Sequence, residues 1–306
     1  MEARGLSELA IAPAVSDEDL EALIAVRKSV DPAARPEVAN LRHSLTSSTA
    51  GLTFLVARLD EEAVACGFVE ASTDSHAEAD VAVVPGRRRQ GIGSAMLAAA
   101  STHARKLGKD GLQLEVRKSD DASRSFLERR GFERVGGEEA VSLSLSGDFA
   151  PPKPPAGIEI VPRRERPDAV EPMYEVFLEA VEDVPGAGPA ETIESWRARE
   201  IDRPSRSPDF AFLAIADGEV VGYAVLDLLG DEGHHGFTAV KRAWRRRGVA
   251  TALKQAQIAA AAERGLARLV TSSEARNLPM RSLNEKLGYR PDSDRSTVVM
   301  RGPLQA

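Results

Sequence analysis

The chain repeats itself, and that repeat constrains what it can fold into. Arg88-Arg89-Gln90-Gly91-Ile92-Gly93 returns as Arg245-Arg246-Arg247-Gly248-Val249-Ala250, 157 residues later. The same offset carries Gly108 onto Gly265 and Gly131-Phe132 onto Gly288-Tyr289. Landmarks held in one register from Arg88 to Phe132 mark a duplicated domain. With 306 residues, each copy is long enough to bury its own core. Between the copies lies Pro151-Pro152-Lys153-Pro154-Pro155-Ala156-Gly157. Such a run is neither a helix interior nor a central strand, and reads as a semi-rigid spacer. The expected domains are therefore 1–150 and 158–306, joined by a linker over 151–157.

Each copy reads as the same alternation of strands and helices. In the first, Leu9 to Ala12 is a short strand, and Ser16 caps a helix through Leu20, Leu23 and Arg27. Leu52 to Leu59 and Ala63 to Glu70 flank a polar turn, the pattern of a hairpin. Ala79 to Val84 is a strand, and a helix follows Gly91 with Ile92, Ala95, Met96 and Ala99 on one face. Leu112 to Val116 is a strand, Ser123 to Arg130 a helix, and Val141 to Leu145 closes the half. The second copy matches, with a hairpin at Asp217-Gly218 and a last strand over Thr297 to Met300. The fold class is α+β: a mixed sheet, mostly antiparallel, with a strand–helix–strand crossover in each half.

Composition excludes several classes. Nowhere do eighteen apolar residues run together, so no membrane-spanning helix is expected. Met1 to Gly5 lacks an apolar run behind a basic end, so no secretory signal is expected. Cys66 is the only cysteine, which leaves no intrachain disulfide and no cysteine cluster for a metal, and fits a cytoplasmic protein. The formal net charge of −7 argues against a nucleic-acid coat.

The repeated element is a strand, then arginines, then Gly-x-Gly or Gly-x-Ala opening a helix. The first turn of a helix has N–H groups without intrahelical partners and a positive dipole end. Glycine lets a bulky anion approach the backbone, and arginines add charge-assisted hydrogen bonds. The element suits a phosphate or diphosphate. No G-x-x-x-x-G-K-[ST] run is present, and Met96 and Leu253 stand where a dinucleotide fingerprint has its third glycine.

Val83-x-Pro85-x-x-Arg88-x-x-Gly91-x-Gly93 resembles the acyl-CoA diphosphate motif of the GNAT acyltransferase superfamily, and Val240 to Ala250 resembles it again. Phe126 to Phe132 and Leu283 to Tyr289 resemble the family's second segment. The layout is similar to that of tandem acetyltransferases of the mycothiol synthase type. The resemblance implies that Val81, Ala82 and Val83, and Thr238, Ala239 and Val240, line the acyl and pantetheine arm. It implies that the backbone of Arg88, Arg89, Gln90, Gly91, Ile92, Gly93 and Ser94 holds the diphosphate. Arg245, Arg246, Arg247, Gly248, Val249, Ala250 and Thr251 would do so in the second half, with Asn277 near the pantetheine. Where the family often has a tyrosine to protonate the leaving thiolate, the two halves have Leu127 and Asn284.

Amine acyl transfer also needs a base. Glu78 stands on the expected fourth strand of the first half, and the repeat offset puts His235 opposite it, with Glu232 and His234 adjacent. Histidine, with an ordinary pKa of about 6.5, suits a base near neutral pH. Glu115 on the next strand is a further carboxylate of the first half. With His235, Glu232, Asn284 and Asn277, the second half is expected to be the catalytic one. The expected activity is acetyl transfer from acetyl-CoA to a primary amine of a small molecule, without a metal, a nucleic acid or a membrane, by a monomer or homodimer. The alternatives are an acyl-CoA-binding module with decayed chemistry, and an N-acetyltransferase of proteins or peptides.

Overall fold

A computed structural model describes residues 9–72, 75–147, 149, 151–183, 191–274 and 277–306. The Met1 to Gly5 segment lies outside them. In chain order the elements are β1 (Leu9–Pro13), α1 (Asp17–Val30), α2 (Val38–Ser47), β2 (Thr53–Leu59), β3 (Glu62–Ala71), β4 (His76–Val83), α3 (Ile92–Lys106), β5 (Gly111–Arg117), α4 (Asp121–Glu128) and β6 (Glu133–Ser144). There follow β7 (Glu159–Pro162), α5 (Val170–Val181), α6 (Ile193–Glu200), β8 (Phe212–Ala216), β9 (Glu219–Leu229), β10 (Glu232–Val240), α7 (Val249–Glu263), β11 (Arg268–Glu274), α8 (Leu278–Lys286), β12 (Arg290–Pro291) and β13 (Thr297–Pro303).

Local chemistry explains the boundaries. Ser16 and Asp19 form a reciprocal capping box at the start of α1. The β2–β3 and β8–β9 hairpins turn through two left-handed residues each, Asp60-Glu61 and Asp217-Gly218, the twist that fits a two-residue turn. The helices after Gly91 and Gly248 both start from a left-handed glycine.

The chain forms two compact units, and they are not the two halves of the repeat. The first comprises residues 1–136 and 298–306, the second 137–297. In the first, the strand order is β1-β2-β3-β4-β5-β13; in the second it is β6-β11-β10-β9-β8-β7, with β12 beside β6. Each half's last strand thus lies in the other half's sheet. The second half of β6 runs antiparallel to β11 from Arg268↔Ser144 to Glu274↔Glu138. Val298 and Met300 are buried in the first unit's core with Phe132 and Leu112, and the ring of Phe132 occupies the space a side chain on Gly302 would need. Periodicity gave both strands but not their partners, because an alternating apolar strand fits either sheet. The proline-rich segment is also not a free spacer: Lys153 N–H donates to Gln255, and Pro155 packs 3.5 Å from the position of a Cβ on Gly248.

Both units bury apolar side chains on both sheet faces. In the first, α3 covers Ala77, Ala79, Leu112, Leu114 and Val116, while α1 and α2 cover Phe54, Val56, Cys66 and Ala82. By strand alternation, Glu78, Asp80 and Glu115 therefore stand on the α1 face. Burial pushes the Cys66 thiol up to about 11. In the second unit, α5 and α6 cover Leu213, Tyr223 and Ala239 around Trp196.

Candidate active site

β4 and β5 run parallel from His76↔Gly111 to Ala79↔Leu114 and then part. The parting opens a cleft of about 510 Å³. Its walls combine the apolar Val81, Ala82 and Val83 of β4, Leu114 and Val116 of β5, and Phe126 and Leu127 of α4 with the charged Arg27, Asp80, Glu115 and Arg117. Its mouth is the start of α3, where Arg88, Arg89, Gly91, Gly93 and Ser94 join the lining. Arg89 and Gly91 both take positive φ, 64° and 85°. For arginine that conformation is strained, and it curls the loop around the unpartnered N–H groups of the first helical turn. Arg88 Nε donates to the Val83 carbonyl. Arg130 donates to Ser94 Oγ at 2.7 Å while its guanidinium stacks 3.8 Å from the Phe126 ring centre. A slot with an apolar strip along its walls and an anion cradle at one end fits a long thioester ending in a diphosphate. Of the expected residues, Ile92 turns into the core and Gln90 reaches back toward the Gly86 carbonyl; the others form one surface.

The second unit repeats the cradle. Arg246 and Gly248 have φ of 60° and 89°, and Arg245 Nε donates to the Val240 carbonyl. Arg245 also pairs with Asp183 at 2.6 Å, and Arg247 stacks on Trp244. Val240 of β10 and Val249 at the start of α7 are buried together and Ala250 packs against them, while Ala239 faces the opposite core. Thr238 Oγ1 is enclosed and has no hydrogen-bond partner. Asn277 caps α8, its side chain accepting from Met280 N–H. Asp120 caps α4 in the same way, so the two share a helix-capping role.

The histidine expectation needs correction. β10 carries a bulge: His235 to Thr238 on β10 oppose Leu226 to Ala224 on β9, one residue more on β10. The extra residue shifts the repeat register by one. Glu78 pairs with Gln113 on β5, and it is His234 that pairs with the matching Val270 on β11. His235 takes the place of Ala79 and turns under α7. There His235 Nδ1–H donates to Gln257 Oε1 at 2.9 Å, and its Nε2 accepts from the Tyr289 hydroxyl at 2.5 Å. Burial, and then the nearby Lys254, hold His235 well below its ordinary pKa. It is a neutral, half-buried residue with both ring nitrogens bonded within the protein, not a base facing a cleft. Glu232 is buried and ion-paired with Arg268, Arg295 and His234. Burial favours its neutral form, but Arg295 and these other partners hold its pKa below the usual carboxylate value. Asn284 is buried, 1% exposed, and its Oδ1 has no partner.

In the first unit Glu78 lies just below the parting point, opposite Glu70 on β3. Burial and the charge of Glu78 raise the pKa of Glu70. Asp80 is ion-paired with Arg27 of α1. Glu115 lies in the cleft lining. Sequence reasoning missed Glu70, and also Lys254 and Gln257, which stand where the first half has Leu97 and Ala100; reading the repeat position by position exposes the latter two. Among the described residues, no three His, Cys, Asp or Glu side chains group as a metal site, and no helix is long and apolar enough to cross a membrane.

Comparison with known proteins agrees with this geometry. The profile of the Acetyltransferase (GNAT) family matches residues 20–132 and 171–289. A mycothiol acetyltransferase of Catenulispora acidiphila is 27% identical over 240 residues, covering 72% of this chain and 71% of that one. Another from Actinosynnema mirum is 39% identical over 101 residues, 32% of each chain. Among solved structures, a tandem GNAT protein from the clavulanic acid biosynthesis pathway superposes with a TM-score of 0.77 at 23% identity, covering 98% of this chain and 99% of that one. A GCN5-related N-acetyltransferase from Sphaerobacter thermophilus gives 0.74 at 21% identity, covering 97% and 96%. The chain belongs to the acetyltransferase (GNAT) family and carries its domain twice in tandem.

Proposed function

We propose that this protein transfers the acetyl group of acetyl-CoA to a primary amine of a small molecule, and that the first unit is the transfer site. The observation that carries this reading is the cleft between the parted strands β4 and β5, with an apolar strip and a carboxylate along its walls and the cradle of α3 at its end. The second unit, favoured from sequence because of its histidines, directs His235 into its own core and holds Glu232 in ion pairs.

The amine must reach the thioester carbonyl as a free base. Its nitrogen forms the new bond to carbon, the carbon–sulfur bond breaks, and the proton shed by nitrogen passes to a carboxylate. Asp80 of β4 also lines the cleft and is ion-paired with Arg27 of α1. Glu115, in the lining, and Glu78, beside the parting point, are the carboxylates that take this role. Leu127 supplies no acid, so the thiolate leaves into solvent and is protonated there. The name of the mycothiol acetyltransferase relatives supports a small-molecule acceptor.

Thiol release from acetyl-CoA, followed over a panel of amines, tests the proposal. Gly91→Trp, which fills the first cradle, is expected to abolish turnover, and Gly248→Trp to leave most of it. The reverse pattern moves the chemistry to the second unit. Binding of acetyl-CoA without turnover on any amine favours a module that has lost its chemistry.

A further inference from the structure

One wall of the first cleft carries a carboxylate and a guanidinium side by side. Glu115 and Arg117 are both in the cleft lining. They stand two residues apart on β5, so their side chains leave the same face of the strand, about 6–7 Å apart at the backbone. Leu114 and Val116 point the other way, into the core under α3. Glu115 and Arg117 are exposed where those two neighbours are buried, so both charged groups are open to a solute entering the cleft. An acceptor whose amine meets the Glu115 carboxylate has a guanidinium within reach of an atom a few bonds farther along the same molecule.

The two arginines of this wall are held differently. Arg27 reaches from within α1 to Asp80 on β4, and its side chain is 28% exposed; it ties the helix to the strand. Arg117 is 46% exposed and pairs with Asp31, the residue that follows α1. A pair so open to water holds its partners weakly. A planar guanidinium also has five N–H groups, more than one carboxylate uses. A carboxylate brought by the acceptor therefore joins Arg117 as a bidentate partner, or takes the place of Asp31, at little cost. A second cation on the acceptor would be repelled there, and an uncharged group gains no ionic contact.

On the acetyl-transfer reading above, we propose that the first unit acts on amines that carry their own carboxylate, with amino acids as the substrate class. Arg117 binds that carboxylate, and Asp31 competes with it for the guanidinium.

The test is steady-state acetylation, by the full chain, of a panel of α-, β- and γ-amino acids, each beside its carboxamide, which keeps the amine and loses the negative charge. The expected result is a kcat/KM higher for the acid than for its amide by about tenfold or more in the best pair. Arg117→Gln is expected to raise KM for that amino acid by about tenfold or more and to bring the acid-to-amide ratio close to unity. Arg117→Lys, which keeps the charge without the fork, should recover part of the ratio. Asp31→Asn is expected to move KM for the acid downward, because it removes the competitor. If the Arg117–Asp31 pair served only to hold α1 against β5, Arg117→Gln and Asp31→Asn would act alike, so shifts of KM in the same direction overturn the inference. An amide turned over as well as its acid overturns it too, and that comparison needs no variant. If only amines without a carboxylate are acetylated, the inference falls and the transfer reading stands. If no amine is acetylated, both fall.

Discussion

Beneath α3 the first unit packs Ala79, Leu97, Ala100 and Phe132. At the matching places beneath α7 the second unit sets a half-buried His235 against the buried Lys254, Gln257 and Tyr289. One backbone plan thus supports an apolar core in one copy and a hydrogen-bonded polar network in the other. The glycine-opened helices, the hairpin turns and the strand order are common to both, so they are what the duplicated sequence preserves. The side chains between sheet and helix are where the copies have separated in chemistry.

The largest effect that sharpens this contrast comes from the exchanged strand. Deleting residues 298–306 removes Val298 and Met300 from the first unit's core. It is expected to unfold that unit and abolish acetyl-CoA binding at the first cleft. Met300→Ala is the milder form, with a destabilisation of roughly 2–5 kcal/mol. Both tryptophans, Trp196 and Trp244, lie in the second unit. Urea unfolding of Met300→Ala followed by circular dichroism should show an early loss of structure, while the tryptophan fluorescence midpoint stays in place. Equal shifts in both signals would mean that β13 does not belong to the first unit.

Next in size is the carboxylate of the cleft. Glu115→Gln is expected to lower kcat by roughly 10²–10⁴-fold with little change in KM for acetyl-CoA, as removal of a proton acceptor does. The loss should shrink as pH rises and the amine deprotonates unaided. A pH-independent change confined to KM would assign Glu115 to acceptor binding. If Glu78→Gln shows the loss instead, the base stands just below the parting point.

Much of this architecture was legible in the sequence. Gly91 and Gly248 announced the cradles because few other residues take the left-handed conformation that opens these helices. Two features were not. Neither Val141 to Leu145 nor Thr297 to Met300 carries information about which sheet it joins, since pairing partners are set by tertiary contacts. The bulge in β10 is invisible for a related reason. The Gly236-Phe237 step has no turn signature, yet the side chain of Arg206 occupies the space beside Gly236, and the added residue turned His235 from the expected face to the opposite one. A register error of one residue inverts every side chain of a strand, which is why His235 faces the core beneath α7 and not the face expected for it.

The third effect contrasts the two cores through pH. Lys254 is 1% exposed, and burial lowers its pKa to about 7. Because its folded pKa lies below the unfolded value, the unfolded chain holds more protons between about pH 7 and 10. Stability should therefore rise with pH across that window, by up to about 1.4 kcal/mol per unit from this group. Lys254→Leu, which installs the first unit's residue, is expected to stabilise the second unit by on the order of 2–4 kcal/mol at pH 7. The gain should diminish toward pH 9. Tryptophan-monitored denaturation of the pair at both pH values checks the sign. A destabilised variant would show that Lys254 finds more stabilisation in the Tyr289 ring, 5.6 Å away, than it loses to desolvation.

The smallest effect separates a bonded network from mere tolerance of polar groups. Tyr289 stands where the first unit has Phe132, and its hydroxyl donates to His235 Nε2. Tyr289→Phe leaves that nitrogen without its donor in a buried place. The expected loss is about 1–3 kcal/mol, the range for stranding one buried polar group. Pairing Tyr289→Phe with His235→Ala, the residue the first unit uses there, removes both partners together. The double variant should then recover part of the loss, because the site returns toward the apolar packing already realised beneath α3. Additive losses would instead mean that the His235–Tyr289 contact carries no coupling energy, and that the second core merely accommodates its polar groups one by one.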